Sequence, residues 1–436
     1  MRIIFMAAML LMVVSGTFAQ SRTPRRLDIK TLFLLVDSGN RTLRVRDAAV
    51  STAKEGVAAA RAQRLPDIDA SLSASYNGNA LLMDRHFDNV HGLHSPHFGN
   101  SFALEARQLV YAGGAIDAGI KGAELGLRQA EVQAELSREN QRFIALGQYL
   151  ELQKLANREQ VVKSNIELTK KLIGNITDRQ RQGVALKNDI TRYQLQMQNL
   201  QLALTKIANS RTIINHQLCN TLNVSPSDSI VPIEDVTAAS FAKDGELAWQ
   251  SAALDNAQSL KMSDIGIDMA HNNEKLAKSE MLPKVAVVAN DAFNGPITFE
   301  LPPVNKNLNV WYVGVGVQYS LSSLFKSNKK LRQARLATQQ ATLDKQVALE
   351  NVNNQVQQAY TDYLQSYVEL ETQQKSVQLA RENYQVVNDR YLNQLALITD
   401  MIDASNTRLD AELSEVDAKI NIAYAYYKMK YIAGNL

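Results

Sequence analysis

The sequence predicts a mainly α-helical chain with a smaller β component, written as one unit duplicated, and three observations predict it. The pattern Asp178-Arg179, Ala185-Leu186, Asp189 returns as Asp389-Arg390, Ala396-Leu397, Asp400, with every residue displaced by 211 positions. An outer set returns with a displacement of 217: Leu43 and Leu260, Asp47 and Asp264, Pro66 and Pro283, Gly78 and Gly295. The 436 residues include only 9 prolines and 20 glycines, and long stretches hold neither. So few breakers over such spans favour elongated helices over several compact globules.

Residues 1–19 combine a charged start at Arg2, an apolar run from Ile3 to Val14 and small residues from Ser15 to Ala19, the layout of an export signal. That run is too short to span a bilayer, and no later stretch approaches about 18 uninterrupted apolar residues, so no transmembrane helix is expected. Cys219 is the single cysteine, which excludes an intrachain disulfide, and no cysteine near Ala19 could accept a lipid. Lys and Arg number 47 against 44 acidic residues, a formal charge of +3 that loses one when Arg2 leaves. This balance gives no indication of a nucleic-acid partner.

The first unit occupies residues 20–222, a linker residues 223–244 and the second unit residues 245–436. Asp28 to Leu65 reads as a short helix broken at Ser38-Gly39 and a longer Ala-rich one ending before Pro66, and the layout returns from Gly245 to Pro283. After each Leu-Pro the period changes to two. Ile68, Ala70, Leu72, Ala74 and Tyr76 alternate with Asp67, Asp69, Ser71, Ser73 and Ser75. A loop from Asn77 to Asn100 leads to a strand with Phe102, Leu104 and Ala106 on one face, ending at Tyr111 and Gly113-Gly114. In the second unit Val285, Val287, Ala289 and Phe293 form the matching strand. Beyond Pro302-Pro303, Trp311, Val313, Val315, Val317 and Tyr319 alternate with Tyr312, Gly314, Gly316 and Gln318. Strands of about 9 to 11 residues with aromatics near their ends suit a tilted crossing of a bilayer, although a pair of soluble hairpins would read alike. Four strands cannot close a barrel, so several chains must pool them.

Long helices are predicted from Gly122 to about Arg181, a run of roughly 60 residues or 90 Å, and from Lys330 to Leu392, with return helices at Leu186–Leu222 and Ala396–Ile432. Val352, Val356, Tyr360, Tyr363, Tyr367 and Leu370, then Val377, Tyr384, Val387 and Tyr391, keep to one seam. Other faces, such as Gln194, Gln196, Gln198, Asn199 and Gln201, suit a water-filled interior or a solvated coiled-coil surface. The linker, with Ser225-Pro226 and Val231-Pro232, allows a short strand at Ser229 to Ile233 and would belt the helices.

A search for chemistry returns little: no phosphate-binding glycine loop, and no nucleophile placed beside a base. His86, His91, His94 and His97 fall in the first interstrand loop, where a metal-dependent surface hydrolase is one reading and an exposed polar loop the other. No enzyme activity, cofactor or metal is therefore expected. At the hairpin tips, Asp189 and Asp400 precede returning helices and N-capping accounts for them. Asp403 follows Asp400 by three residues and shares its helix face, so a ring of chains would repeat both around an axis.

The duplicated order of helix, Leu-Pro, strand, loop, strand and long helical hairpin, with the Leu65-Pro66 and Leu282-Pro283 junctions and the Arg179 and Arg390 tips, resembles the TolC-like outer-membrane efflux proteins over essentially the mature chain. The resemblance implies a homotrimer with a twelve-stranded β-barrel in outer-membrane lipid continuing into a periplasmic coiled-coil α-helical barrel. It implies docking on a periplasmic adaptor, a membrane fusion protein, that belongs to an inner-membrane pump. Its constriction residues map to Tyr391, Asp400 and Asp403, and to Asp189 in the first tip; for the docking surface the residues themselves point to Arg179, Gly183, Ala185 and Leu186 with Arg390, Ala396 and Leu397, which combine cationic and small apolar groups at an exposed helix reversal where a partner helical hairpin could pack. The tip glycine kept at Gly183 is Gln394 in the second copy, and a basic residue common near the second tip is Ala396 here. The expected function is a passive exit duct for small molecules. A type I protein-secretion duct and a soluble exported coiled-coil scaffold are the alternatives.

Overall fold

The structure, a computed structural model, describes residues 24–234, 236, 241 and 245–436. The expected signal at residues 1–19 and part of the linker lie outside the described residues. In chain order the elements are β1 (Pro24–Leu27), α1 (Ile29–Gly39), α2 (Arg41–Ala62), β2 (Asp67–Tyr76), β3 (Ala80–Leu82), β4 (His91–Leu93), β5 (Phe98–Tyr111), α3 (Ala115–Arg181) and α4 (Lys187–Leu222). There follow β6 (Ser229–Pro232), α5 (Glu246–Asn256), α6 (Gln258–Ser279), β7 (Lys284–Gly295), β8 (Leu308–Gln318), α7 (Ser323–Leu392) and α8 (Ile398–Ile432). Helices α5 and α6 lie 217 positions after α1 and α2 at both ends, while the ends of α3 and α7 and the starts of α4 and α8 are 211 apart. The sequence repeat is thus a structural repeat, element by element.

The chain forms two compact units, one of residues 24–46, 134–258 and 349–436 and one of residues 47–133 and 259–348, each drawing on both copies of the repeat. In the first, Leu32, Val36, Leu146, Tyr149, Leu218 and Leu222 are almost fully buried and pack as one core. The Tyr149 hydroxyl donates to the Leu27 carbonyl at 2.9 Å, fixing the parallel pair β1–β6. The sequence offered β6 but not its partner, because four residues, Pro-Arg-Arg-Leu, carry no alternation. Gly39 sits where a Cβ would come within 2.5 Å of the Leu222 carbonyl oxygen, so the helix break there is also a close approach. The ten seam residues expected on α7 are all buried or half-buried.

In the second unit one antiparallel sheet runs in the order β2-β5-β7-β8. Leu72 faces Phe102, which faces Phe293; Ala106 faces Ala289, which faces Val313; and Val287 faces Val315. Directly opposed residues share a face, so the register gathers the expected apolar sets of all four strands on one side. The other side carries Asp67, Asp69, Glu105, Arg107 and Asn290. One face is therefore largely oily, interrupted by Asp291 and Asn309, and the other mixes charged and polar groups with small and apolar ones; the oily face is exposed, Leu72 being 82% and Val315 70% accessible. The first interstrand loop, expected to lack structure, holds the β3–β4 hairpin. Within it His97 stacks on Tyr76 at 5.2 Å and meets His94 edge to face at 5.4 Å. Among the described residues no three His, Cys, Asp or Glu side chains come together as a metal site.

Candidate functional site

The candidate site is the pair of helix reversals, and its geometry follows from the duplicated motif. At the end of α3 the Gly183 N–H donates to Gln180 O and the Val184 N–H to Arg179 O, both at 3.0 Å. At the end of α7 the same two bonds recur, Gln394 to Tyr391 O at 3.0 Å and Leu395 to Arg390 O at 2.8 Å. Both are left-handed helix terminations that satisfy the last carbonyls, with φ of 77° at Gly183 and 63° at Gln394. The sequence departure at Gln394 therefore leaves the turn unchanged. Glutamine simply adopts a conformation that costs it what glycine escapes.

The return helices begin alike. Leu186 and Leu397 are the N-caps, and the carboxylates of Asp189 and Asp400, three residues on, accept their backbone N–H groups at 3.2 and 3.0 Å. The capping expectation needs one correction: each aspartate lies inside the first turn and reaches back, because a leucine cap has no side-chain oxygen to offer. Asp189 is buried, Asp400 and Asp403 are exposed, and Tyr391 is half-buried.

Arg179 joins the two tips. Its Nη1 donates to Leu392 O at 3.0 Å and its guanidinium lies 6.0 Å from the Tyr391 ring centre. A cation at the last carbonyls of α7 also meets the negative end of that helix. Burial pushes the Tyr391 phenol up, Asp189 pushes the same way and Arg179 opposes. A cleft of about 550 Å³ brings together Arg179, Gly183, Ala185, Leu186, Asp189 and Tyr391, with Ala396 and Leu397 completing its wall. Arg390, Asp400 and Asp403 do not line it.

Of two layers beneath the tips, sequence reading reached only Tyr384, a member of the α7 seam. Ile176, Tyr193, Tyr384, Ile398 and Met401 form a small core, and Tyr193, fully buried, is pushed well above the usual phenol range by that burial. Tyr193 shares its helix face with Met197 and Leu200, a stripe not singled out among the neighbouring glutamines of α4. Farther along, Glu412 accepts from Arg381 and Arg408, each at 3.1 Å, and from Asn165 at 3.3 Å. Burial disfavours its charge, yet these bonds outweigh that and hold its carboxyl below the ordinary range.

Residues 249–435 match the outer membrane efflux protein family. No curated protein matches the chain by sequence. Its fold is similar to that of the outer-membrane channel OprN, with 16% identity, a TM-score of 0.77 and coverage of 94% of this chain and 90% of that one. It is similar to CusC, a protein studied for folding and transmembrane channel formation, with 13% identity, a TM-score of 0.80 and coverage of 94% and 92%. It is also similar to the outer membrane protein VceC of Vibrio cholerae, with 14% identity, a TM-score of 0.75 and coverage of 93% and 96%. The resemblance expected from the repeat is met, by sequence over the second half and by fold over nearly the whole chain.

Proposed function

We propose that this TolC-like outer-membrane efflux protein is the exit duct of a tripartite system, a passive channel for small molecules with no chemistry of its own. The reading is carried by the two-faced sheet. It exposes a largely apolar surface, interrupted at Asp291 and Asn309, and leaves β2 and β8 as open edges, an arrangement that lipid tolerates only after closure. Three copies would supply twelve strands, a barrel in the outer membrane, with a helical barrel reaching into the periplasm. The tip cleft, lined by small and apolar groups beside Arg179, would receive the helical hairpin of a periplasmic adaptor, and Tyr391, Asp400, Asp403 and Asp189 would line the constriction. An inner-membrane pump would supply the energy.

Fractionation and mass measurement test this together. The full chain is expected in the outer-membrane fraction, released by mild detergent as a trimer, and its deletion should sensitise cells to small toxic compounds. A stable detergent-solubilised monomer overturns the closure. Loss of an exported protein, with unchanged small-molecule susceptibility, would instead favour the secretion duct.

A further inference from the structure

We propose that a cleft between α3 and α6, at the ends of β5 and β7, binds the phosphate of an anionic phospholipid headgroup. The cleft measures about 500 Å³; Gly113, Ala118 and Leu282 line it together with three lysines, Lys121, Lys275 and Lys278, and one acid, Asp117. Among the described residues none of these lysines has a carboxylate within the 4.0 Å of an ion pair. The nearby acids are engaged elsewhere: Asp117 with Arg64 at 2.6 Å, Glu124 with Arg61 at 2.8 Å and Glu280 with Lys330 at 2.8 Å. Three lysines against one acid that is already paired with Arg64 leave the concavity net positive, and a phosphate oxygen is the acceptor that several ammonium donors can share.

The cleft is preformed. Asn272, itself buried, donates to the Ala118 carbonyl at 2.8 Å and ties α6 to α3 beneath it. Gly113 has a φ of 63°, and a Cβ there would come within 2.7 Å of the Leu282 side chain, so only glycine permits this approach.

Position decides between a lipid and a free anion. β5 ends at Tyr111 and β7 begins at Lys284, each two residues from the cleft. If the apolar face of the sheet lies in the bilayer, the cleft lies where the headgroup layer begins. This step rests on the membrane reading above. β5 and β7 are the inner strands, so a further copy would pair at β2 or β8 and not at the strands beside the cleft. The start of α7 extends the same basic level, with Lys326, Lys329, Lys330, Arg332 and Arg335 and no acid before Asp344.

The test is native mass spectrometry of the full-length protein in detergent, titrated with phosphatidylglycerol, with phosphatidylcholine and with inorganic phosphate. Phosphatidylglycerol should bind in preference to phosphatidylcholine. Lys121→Gln, Lys275→Gln and Lys278→Gln combined should weaken it about a hundredfold, a few-fold for each cation. Lys326→Gln, Lys329→Gln and Arg332→Gln combined should weaken it far less. Equal loss in both triple variants would replace the cleft by a diffuse belt and overturn the proposal. Displacement of the lipid by millimolar inorganic phosphate would make the anion a soluble one and overturn the headgroup assignment. Single Lys275→Gln and Lys278→Gln variants, each expected to lose a few-fold, serve if the triple variant fails to assemble. A protein that inserts and conducts in bilayers yet shows no lipid preference overturns this proposal alone. A protein found only in soluble fractions overturns the membrane reading and this proposal with it.

Discussion

Gln394 carries a left-handed backbone that its sequence counterpart, Gly183, adopts without steric cost. Gln394→Gly should therefore stabilise the chain by about 0.5 kcal/mol, after the larger entropy of an unfolded glycine is set against the relieved strain, and Gly183→Ala should cost about 1 kcal/mol. Thermal unfolding of the two variants checks both signs. Glu412 gives a pH dependence. Its carboxyl is held below the ordinary 4.5 by Arg408, Asn165 and Arg381 in spite of burial, so its contribution is complete above that ordinary value and is lost as pH falls through the lowered one. Glu412→Gln should cost about 2 kcal/mol at neutral pH, discounted because Arg381 is largely exposed, and should flatten the acid limb of a stability-against-pH curve. The aspartates of the tips were legible because they recur at one spacing. The partners of Glu412 were not, because Asn165 lies 247 residues away and no local pattern encodes such a meeting.

At the scale of elements, periodicity recovered most of the chain. The alternation of β2 and β7 and the seam of α7 are local consequences of which side chains face apolar neighbours. The starts of α3 and α7 lie seven residues before those expected. α3 begins directly after Gly113-Gly114, where the preceding strand was read to end, and α7 directly after Ser322. The tip cleft was legible only in composition, since its shape depends on Arg179 reaching the last carbonyls of another helix. Ala185 and Ala396 line that cleft and are small, which leaves room for a partner helix. Replacing both with arginine should abolish efflux, raising susceptibility to the uninduced-deletion level, while protein abundance and insertion stay normal. Susceptibility assays beside quantitative membrane blots measure the two outcomes separately.

For the whole molecule, copies arranged around an axis would bring Asp400 and Asp403 into stacked rings of carboxylates. Each pair interacts by only about 1 kcal/mol at 4 Å in water and less with salt, but several like charges around one constriction act together. Conductance in planar bilayers should be cation-selective and blocked by divalent cations from the tip side. Asp400→Asn with Asp403→Asn should weaken both properties, and separately cost about 1 kcal/mol per chain because the Leu397 N–H loses a charged acceptor. An unchanged reversal potential would leave Asp400 only that second role. The repeat also forecasts a joint that no single chain contains. Inside the chain, the last strand of the first copy meets the first strand of the second, with Phe102 opposite Phe293 and Ala106 opposite Ala289. The equivalent joint between chains would pair β8 of one copy with β2 of the next, with Val313 and Val317 on the same side as Leu72 and Tyr76. Such a joint keeps oily face to oily face, and because four strands is an even number the alternation of direction never breaks there. Cysteine pairs drawn from the oily residues of β8 and of β2 should cross-link neighbouring subunits, and pairs that set an oily residue of β8 against Ser71 or Ser73, on the opposite face, should not: the pairing of β5 with β7 inside the chain would be the template for the seam between chains.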